Sequence, residues 1–166
     1  MESGDTASAG QAVRQGRRAP AGACQRRQRA AGAQVLLMTC RAAPDSLQVV
    51  HEAVASFWEH PHRLPPTDWR MLFELAVAEI AANILEHARA PVLDLHLSER
   101  DGCVVAEFTD TGSEWKGPAP GACAAGGEPD PFAERGRGLR LVRTAVDEVR
   151  YEREGAVNRW RLLKWV

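Results

Sequence analysis

The run Glu74-Leu-Ala-Val-Ala-Glu79-Ile-Ala-Ala-Asn83-Ile-Leu-Glu-His87-Ala88 sets three polar side chains four residues apart among Leu, Ala, Ile and Val. At a helical period of about 3.6 residues, Glu79, Asn83 and His87 stack along one stripe of a single helix. The apolar flanks predict that this helix is largely buried. A buried carboxylate or carboxamide must replace its lost water contacts, and that requirement points to a polar ligand or a metal. Blander readings stand beside this one. Glu79 alone suits a salt-bridged helix residue, and Asn83 a buried amide satisfied by backbone groups. His87, near the helix end, suits a structural cap or a packed core group.

Working outward, the apolar pattern predicts a strand over 34–41 and a helix beginning at Pro44-Asp45-Ser46, with Leu47, Val50, Val54 and Phe57 as its inner stripe. His60-Pro61-His62-Arg63-Leu64-Pro65-Pro66 breaks the pattern, and Thr67 or Asp68 caps the helix that runs to about Arg89. Beyond it, Val92, Leu93, Leu95 and Leu97 form a strand, and Arg100-Asp101-Gly102 turns the chain as a hairpin. In the return strand from Cys103 to Thr109, Val104, Ala106 and Phe108 alternate against Val105 and Glu107. Residues 113–135 hold four prolines and four glycines with few apolar anchors, and so long a loop in a compact domain reads as a lid. A helix over 139–146 follows, and then an antiparallel pair, Val149–Tyr151 with Val157–Leu163, around Glu154-Gly155. This order predicts an α+β fold with helices against one sheet face.

The 166 residues, 45% of them hydrophobic, are enough for one domain with a proper core. A net charge of −1 gives no reason to expect direct nucleic-acid or membrane binding. The charge is uneven, because residues 1–34 hold six Arg against Glu2 and Asp5. Residues 1–33 have almost no large apolar side chains and are expected to form a disordered basic tail. A basic arm for an acidic partner and an over-extended start, with Met38 as the true one, are the other readings. Cys24, Cys40, Cys103 and Cys123 form no CxxC pair and fit reduced thiols, with Cys40 and Cys103 as small core residues. No apolar run has the length of a membrane span or of a signal-peptide core, so the expectation is a soluble, cytoplasmic protein.

Two glycine-bearing motifs complete the pattern. Asp110-Thr-Gly112 ends a strand, and Gly136-Arg137-Gly138-Leu139 opens a helix. There is no GxxxxGK[ST] sequence, so a P-loop is excluded. With the helix motif, and with Val146-Asp147-Glu148-Val149 after the second glycine motif, the chain from about Met38 onward resembles the bacterial anti-sigma factor serine/threonine kinases. These belong to the histidine-kinase-like (GHKL) ATPase superfamily. The resemblance implies a two-layer α/β sandwich, the Bergerat ATP-binding fold, over residues 34–166. Its sheet would be mixed and mostly antiparallel, and residues 113–135 would be the ATP lid.

For the site, the resemblance implies ATP with Mg2+. Asn83 would ligate the Mg2+, Glu79 would be the base that accepts a hydroxyl proton, and His87 would have a supporting role. Asp110 would accept a hydrogen bond from the adenine amino group, and Gly112 would let the backbone approach the base. Gly136, Gly138 and Leu139 would bring the phosphates onto a helix N-terminus. Arg137 or Arg135 would add a charge-assisted contact, although solvated surface explains both arginines equally well. The implied function is an ATP-dependent protein serine/threonine kinase that acts as an anti-sigma factor and phosphorylates an anti-sigma factor antagonist. A sigma factor, the antagonist and a second copy in a homodimer would be its partners. The alternative is a non-catalytic regulator of the same fold that binds nucleotide or a partner. The chain departs from its relatives in three places: Leu139-Arg140-Leu141 lacks a third glycine, Ser113-Glu114-Trp115 follows Gly112, and the last strand offers Gly155-Ala156 or Asn158 in place of a Gly-Thr pair.

Overall fold

Alternation of buried and open side chains along two central strands organises the structure. The computed structural model describes residues 23–30, 33–59, 64–117 and 137–166. Leu93, Leu95 and Leu97 on β3 (Val92–Arg100), and Val104, Ala106 and Phe108 on β4 (Cys103–Asp110), are buried on one face. The turn between them has Asp101 at φ 54° and Gly102 at φ 76°, the left-handed pair that a two-residue hairpin requires. On either side lie β2 (Ala33–Arg41), which buries Leu36, Met38 and Cys40, and β6 (Val157–Trp165), which buries Trp160 and Leu162. With β1 (Ala23–Ala30) and β5 (Glu148–Glu154), the sheet runs β1-β2-β3-β4-β6-β5. Every pairing is antiparallel, so the described strands contain none of the parallel pairing that a mixed sheet would have.

Helices α1 (Ser46–Phe57), α2 (Thr67–Asn83) and α3 (Arg137–Ala145) pack on the apolar face, as an α+β two-layer fold requires. Ser46 starts α1 by accepting the N–H of Ala43 at 2.7 Å and donating to the carbonyl of Arg41 at 2.9 Å. The expected stripe holds: Val50, Val54 and Phe57 are buried and Leu47 packs beside them. Trp58 is core, with Phe57, Trp69 and Phe73 in one aromatic cluster. No helix among the described residues is long and apolar enough to cross a membrane.

The N-terminal segment departs from expectation. Part of the stretch read as a disordered tail, Ala23–Ala30, forms strand β1, paired with β2 over Ala33–Cys40. Edge pairing rests on backbone N–H and C=O groups that β2 would otherwise leave open, and counting large apolar side chains does not register it. Residues 1–22, and residues 118–135 of the expected lid 113–135, lie outside the described residues. A start at Met38 would remove Leu36, 1% exposed, from the core.

Phe108 is fully buried at the centre of the sheet, so Phe108→Ala is expected to lower unfolding free energy by about 3–5 kcal/mol in a denaturant titration. Burial raises the pKa of the free thiols Cys40 and Cys103, which reduces their thiolate fraction at a given pH. Both should react with Ellman's reagent at pH 8 far more slowly in the native protein than after unfolding.

Candidate functional site

The site forms where the last turn of the central helix meets the end of β4. After Asn83 the helix widens into a π-helical turn, Ile84–Ala88, and Arg89 at φ 51° ends it in the left-handed region. Such turns interrupt regular helices, frequently at functional sites. The carbonyl of Ala88, left without a helical partner, accepts the N–H of Ser113 at 2.7 Å. Gly112 allows this approach, because a Cβ on it would overlap the Ala88 carbonyl. The close neighbour that explains this glycine is therefore the helix end.

Docking the two chain ends leaves a cavity of about 370 Å³ between them, lined by Asn83, His87, Asp110, Trp115, Tyr151 and Asn158 among others. Small-molecule sites commonly span about 300–1,000 Å³. Asp110 is 4% exposed. Its Oδ1 accepts the Gly112 N–H at 2.7 Å and the Asn158 amide at 2.8 Å, while Oδ2 is buried and has no hydrogen-bond partner among the described residues. A buried acceptor without a partner costs about 1–3 kcal/mol, and a ligand donor seated in the cavity would relieve that cost. The residues present therefore fit an amino-bearing heterocycle.

The other expected residues are distributed as follows. Asn83 is half-buried and His87 exposed, and both line the cavity. Glu79 is not part of that lining; it stands one helical turn beyond Asn83, against the start of α3, where a Cβ on Gly138 would strike its Oε2. A carboxylate at a helix N-terminus is favourably placed in the field of the helix. Neither Glu79 nor Asn83 has a side-chain hydrogen bond or ion pair among the described residues. The salt bridge and the backbone-satisfied amide, the blander readings of these two residues, are thus not found there. Arg137 is exposed as the first residue of α3, and the Leu139 side chain is buried in the core, leaving its main-chain N–H in the first helical turn. Gly136 and Arg135 lie outside the described residues.

Sequence reasoning did not anticipate the polar cluster behind Asp110. Asn158, 1% exposed, faces Asp110 in the β4–β6 register, so it occupies the last-strand position and Gly155-Ala156 forms the hairpin turn. Its Oδ1 accepts the Tyr151 hydroxyl at 2.8 Å and a guanidinium N–H of Arg153. Tyr151 in turn accepts the N–H of Trp115 at 3.0 Å. Trp115 is half-buried, its ring edge-on to Trp160 at 5.4 Å. The strand register was the one sequence-level signal that could have paired Asn158 with Asp110.

The family model for the histidine kinase-like ATPase domain matches residues 40–164, which span all of these elements except β1 and most of β2. No curated protein matches the chain.

The two close glycine contacts should respond differently to an added methyl. In Gly112→Ala the new Cβ meets backbone, and overpacking of this kind costs about 1–3 kcal/mol, readable by denaturant titration. In Gly138→Ala it meets the end of a flexible carboxylate. Stability should change little, while Glu79 is displaced.

Proposed function

Because the chain belongs to the histidine kinase-like ATPase domain family, and so to the ATP-binding domains, we propose that it is a protein serine/threonine kinase acting as an anti-sigma factor. It transfers the γ-phosphoryl group of ATP to a serine or threonine of an anti-sigma factor antagonist. The observation that carries this reading is the placement of Glu79. It is a half-buried carboxylate one turn from Asn83, at the mouth of α3, with no side-chain partner among the described residues.

Each residue has a physical role in that reaction. Asp110 Oδ2 accepts the purine amino group in the cavity. The amide oxygen of Asn83 would hold Mg2+, which would supply charge neutralisation to the phosphates. The first turn of α3 offers main-chain N–H groups to the phosphates. Glu79 takes the hydroxyl proton as the acceptor oxygen bonds to the γ-phosphorus; the β–γ bridge bond breaks and ADP leaves. The outward face of α2 supports a protein as the acceptor. Leu72 and Leu75 are exposed, 44% and 42%, in one row with Glu79 at i, i+3 and i+7, so the antagonist has apolar surface to bury beside the base. A sigma factor as second partner, a homodimer and a cytoplasmic setting complete the proposal.

Titration calorimetry with ATP, with and without Mg2+, tests the site, and phosphotransfer to candidate antagonist proteins tests the reaction. Asn83→Ala should lose the Mg2+ dependence of binding. Glu79→Ala should bind ATP as the wild type does and transfer phosphate about 10²–10⁴-fold more slowly. Undiminished transfer by Glu79→Ala would remove the base from the mechanism. Binding without transfer to any antagonist would leave a non-catalytic regulator.

A further inference from the structure

An acceptor atom can read a purine edge only if it is held still. The carboxyl of Asp110 rotates about a soft sp³–sp² torsion, and either oxygen could turn toward the cavity. Two donors on Oδ1 prevent this: the Gly112 N–H at 2.7 Å and the Asn158 amide at 2.8 Å. They leave Oδ2 as the buried, unpartnered atom. The Asn158 amide has the same ambiguity, because a flip would put its oxygen against Asp110. Its surroundings admit one orientation. The Nδ2 side faces only acceptors, Asp110 Oδ1, the Ser113 carbonyl at 3.1 Å and the Gly112 carbonyl at 3.3 Å. The Oδ1 side accepts from the Tyr151 hydroxyl and from the Arg153 guanidinium, which can only donate. Arg153 is braced in turn on the Gly112 carbonyl at 3.2 Å.

We propose that Asn158, held by Tyr151 and Arg153, is the positioning residue that sets purine-edge selectivity at this cavity. The proposal rests on reading the cavity as the nucleotide site. With its other oxygen pinned, Asp110 Oδ2 accepts a purine 6-amino group and repels a 6-carbonyl oxygen. An adenine nucleotide is therefore favoured over a hypoxanthine nucleotide that differs at this edge. A site built around one fixed hydrogen bond rejects the analogue that cannot make it. Without Asn158 only the Gly112 N–H holds the carboxyl, water enters the vacated amide position, and a bridging water can satisfy a 6-carbonyl. Tyr151 acts one step back: its hydroxyl holds the Asn158 oxygen and accepts the Trp115 N–H, tying the orientation of the reader to the backbone of the cavity wall.

The test is the ratio of dissociation constants for ATP and ITP, measured calorimetrically on the wild-type chain, Asn158→Ala and Tyr151→Phe. Melting temperatures without nucleotide are recorded alongside. The wild type should prefer ATP by about tenfold or more, the worth of one hydrogen bond made against one lost. Asn158→Ala should bring the ratio close to one, and Tyr151→Phe should lower it by about threefold. A purely structural role would lower the melting temperature and leave the ratio unchanged. If Asn158→Ala does not fold, Tyr151→Phe decides, since it keeps Asn158 and removes only the hydroxyl. A wild-type preference that survives in the folded variants overturns the inference and leaves the nucleotide site standing. A wild type that binds both nucleotides equally also overturns the inference alone. A wild type that binds neither overturns the nucleotide reading, and the inference with it.

Discussion

The contact between Gly112 and the carbonyl of Ala88 is the constraint on which the site depends. A helix must end with carbonyl groups that lack partners. Here one of them is satisfied by the Ser113 N–H, from the segment that follows β4. The contact needs the missing side chain of Gly112 and a helix end that turns sharply, which the π-helical turn and the left-handed Arg89 provide. Once it forms, the Asn83 and His87 side of the helix and the Asp110 end of β4 must bound the same space.

The burial of Asp110 follows from that geometry. The strand register sets Asn158 opposite it, and the hydrogen bonds of Asn158, Tyr151 and Gly112 account for every polar atom of the cluster except Oδ2. Networks of this kind stabilise when complete and cost free energy where one member is open. The open member belongs to a residue that lines the cavity, so stability has been yielded where a ligand can restore it. Glu79 repeats the pattern at the other end, where a carboxylate lies against a helix start that a methyl group would block.

Most of the architecture was legible in the chain. Period-two alternation marked β3 and β4, Asp101-Gly102 marked their turn, and the spacing of Val50, Val54 and Phe57 marked the inner face of α1. These signals are local, since each side chain's direction follows from backbone geometry. Strand β1 was missed because its pairing uses main-chain groups that every residue has. The core position of Trp58 was not marked by local pattern, because its burial comes from Phe57, Trp69 and Phe73, the last two on another helix.

By itself, the sequence determined which residue types stand at the site: Glu79 and Asn83 one turn apart, Asp110 and Gly112 at a strand end, Gly138 at a helix start. It did so because helical and strand periods are set within a few residues. Only the tertiary structure decided what each of these groups faces. Gly112 serves the helix end, Asp110 is left one free oxygen by Asn158, and Glu79 meets α3 outside the cavity. Those outcomes depend on contacts between residues as far apart as Asp110 and Asn158, and such distances are set by packing and strand register.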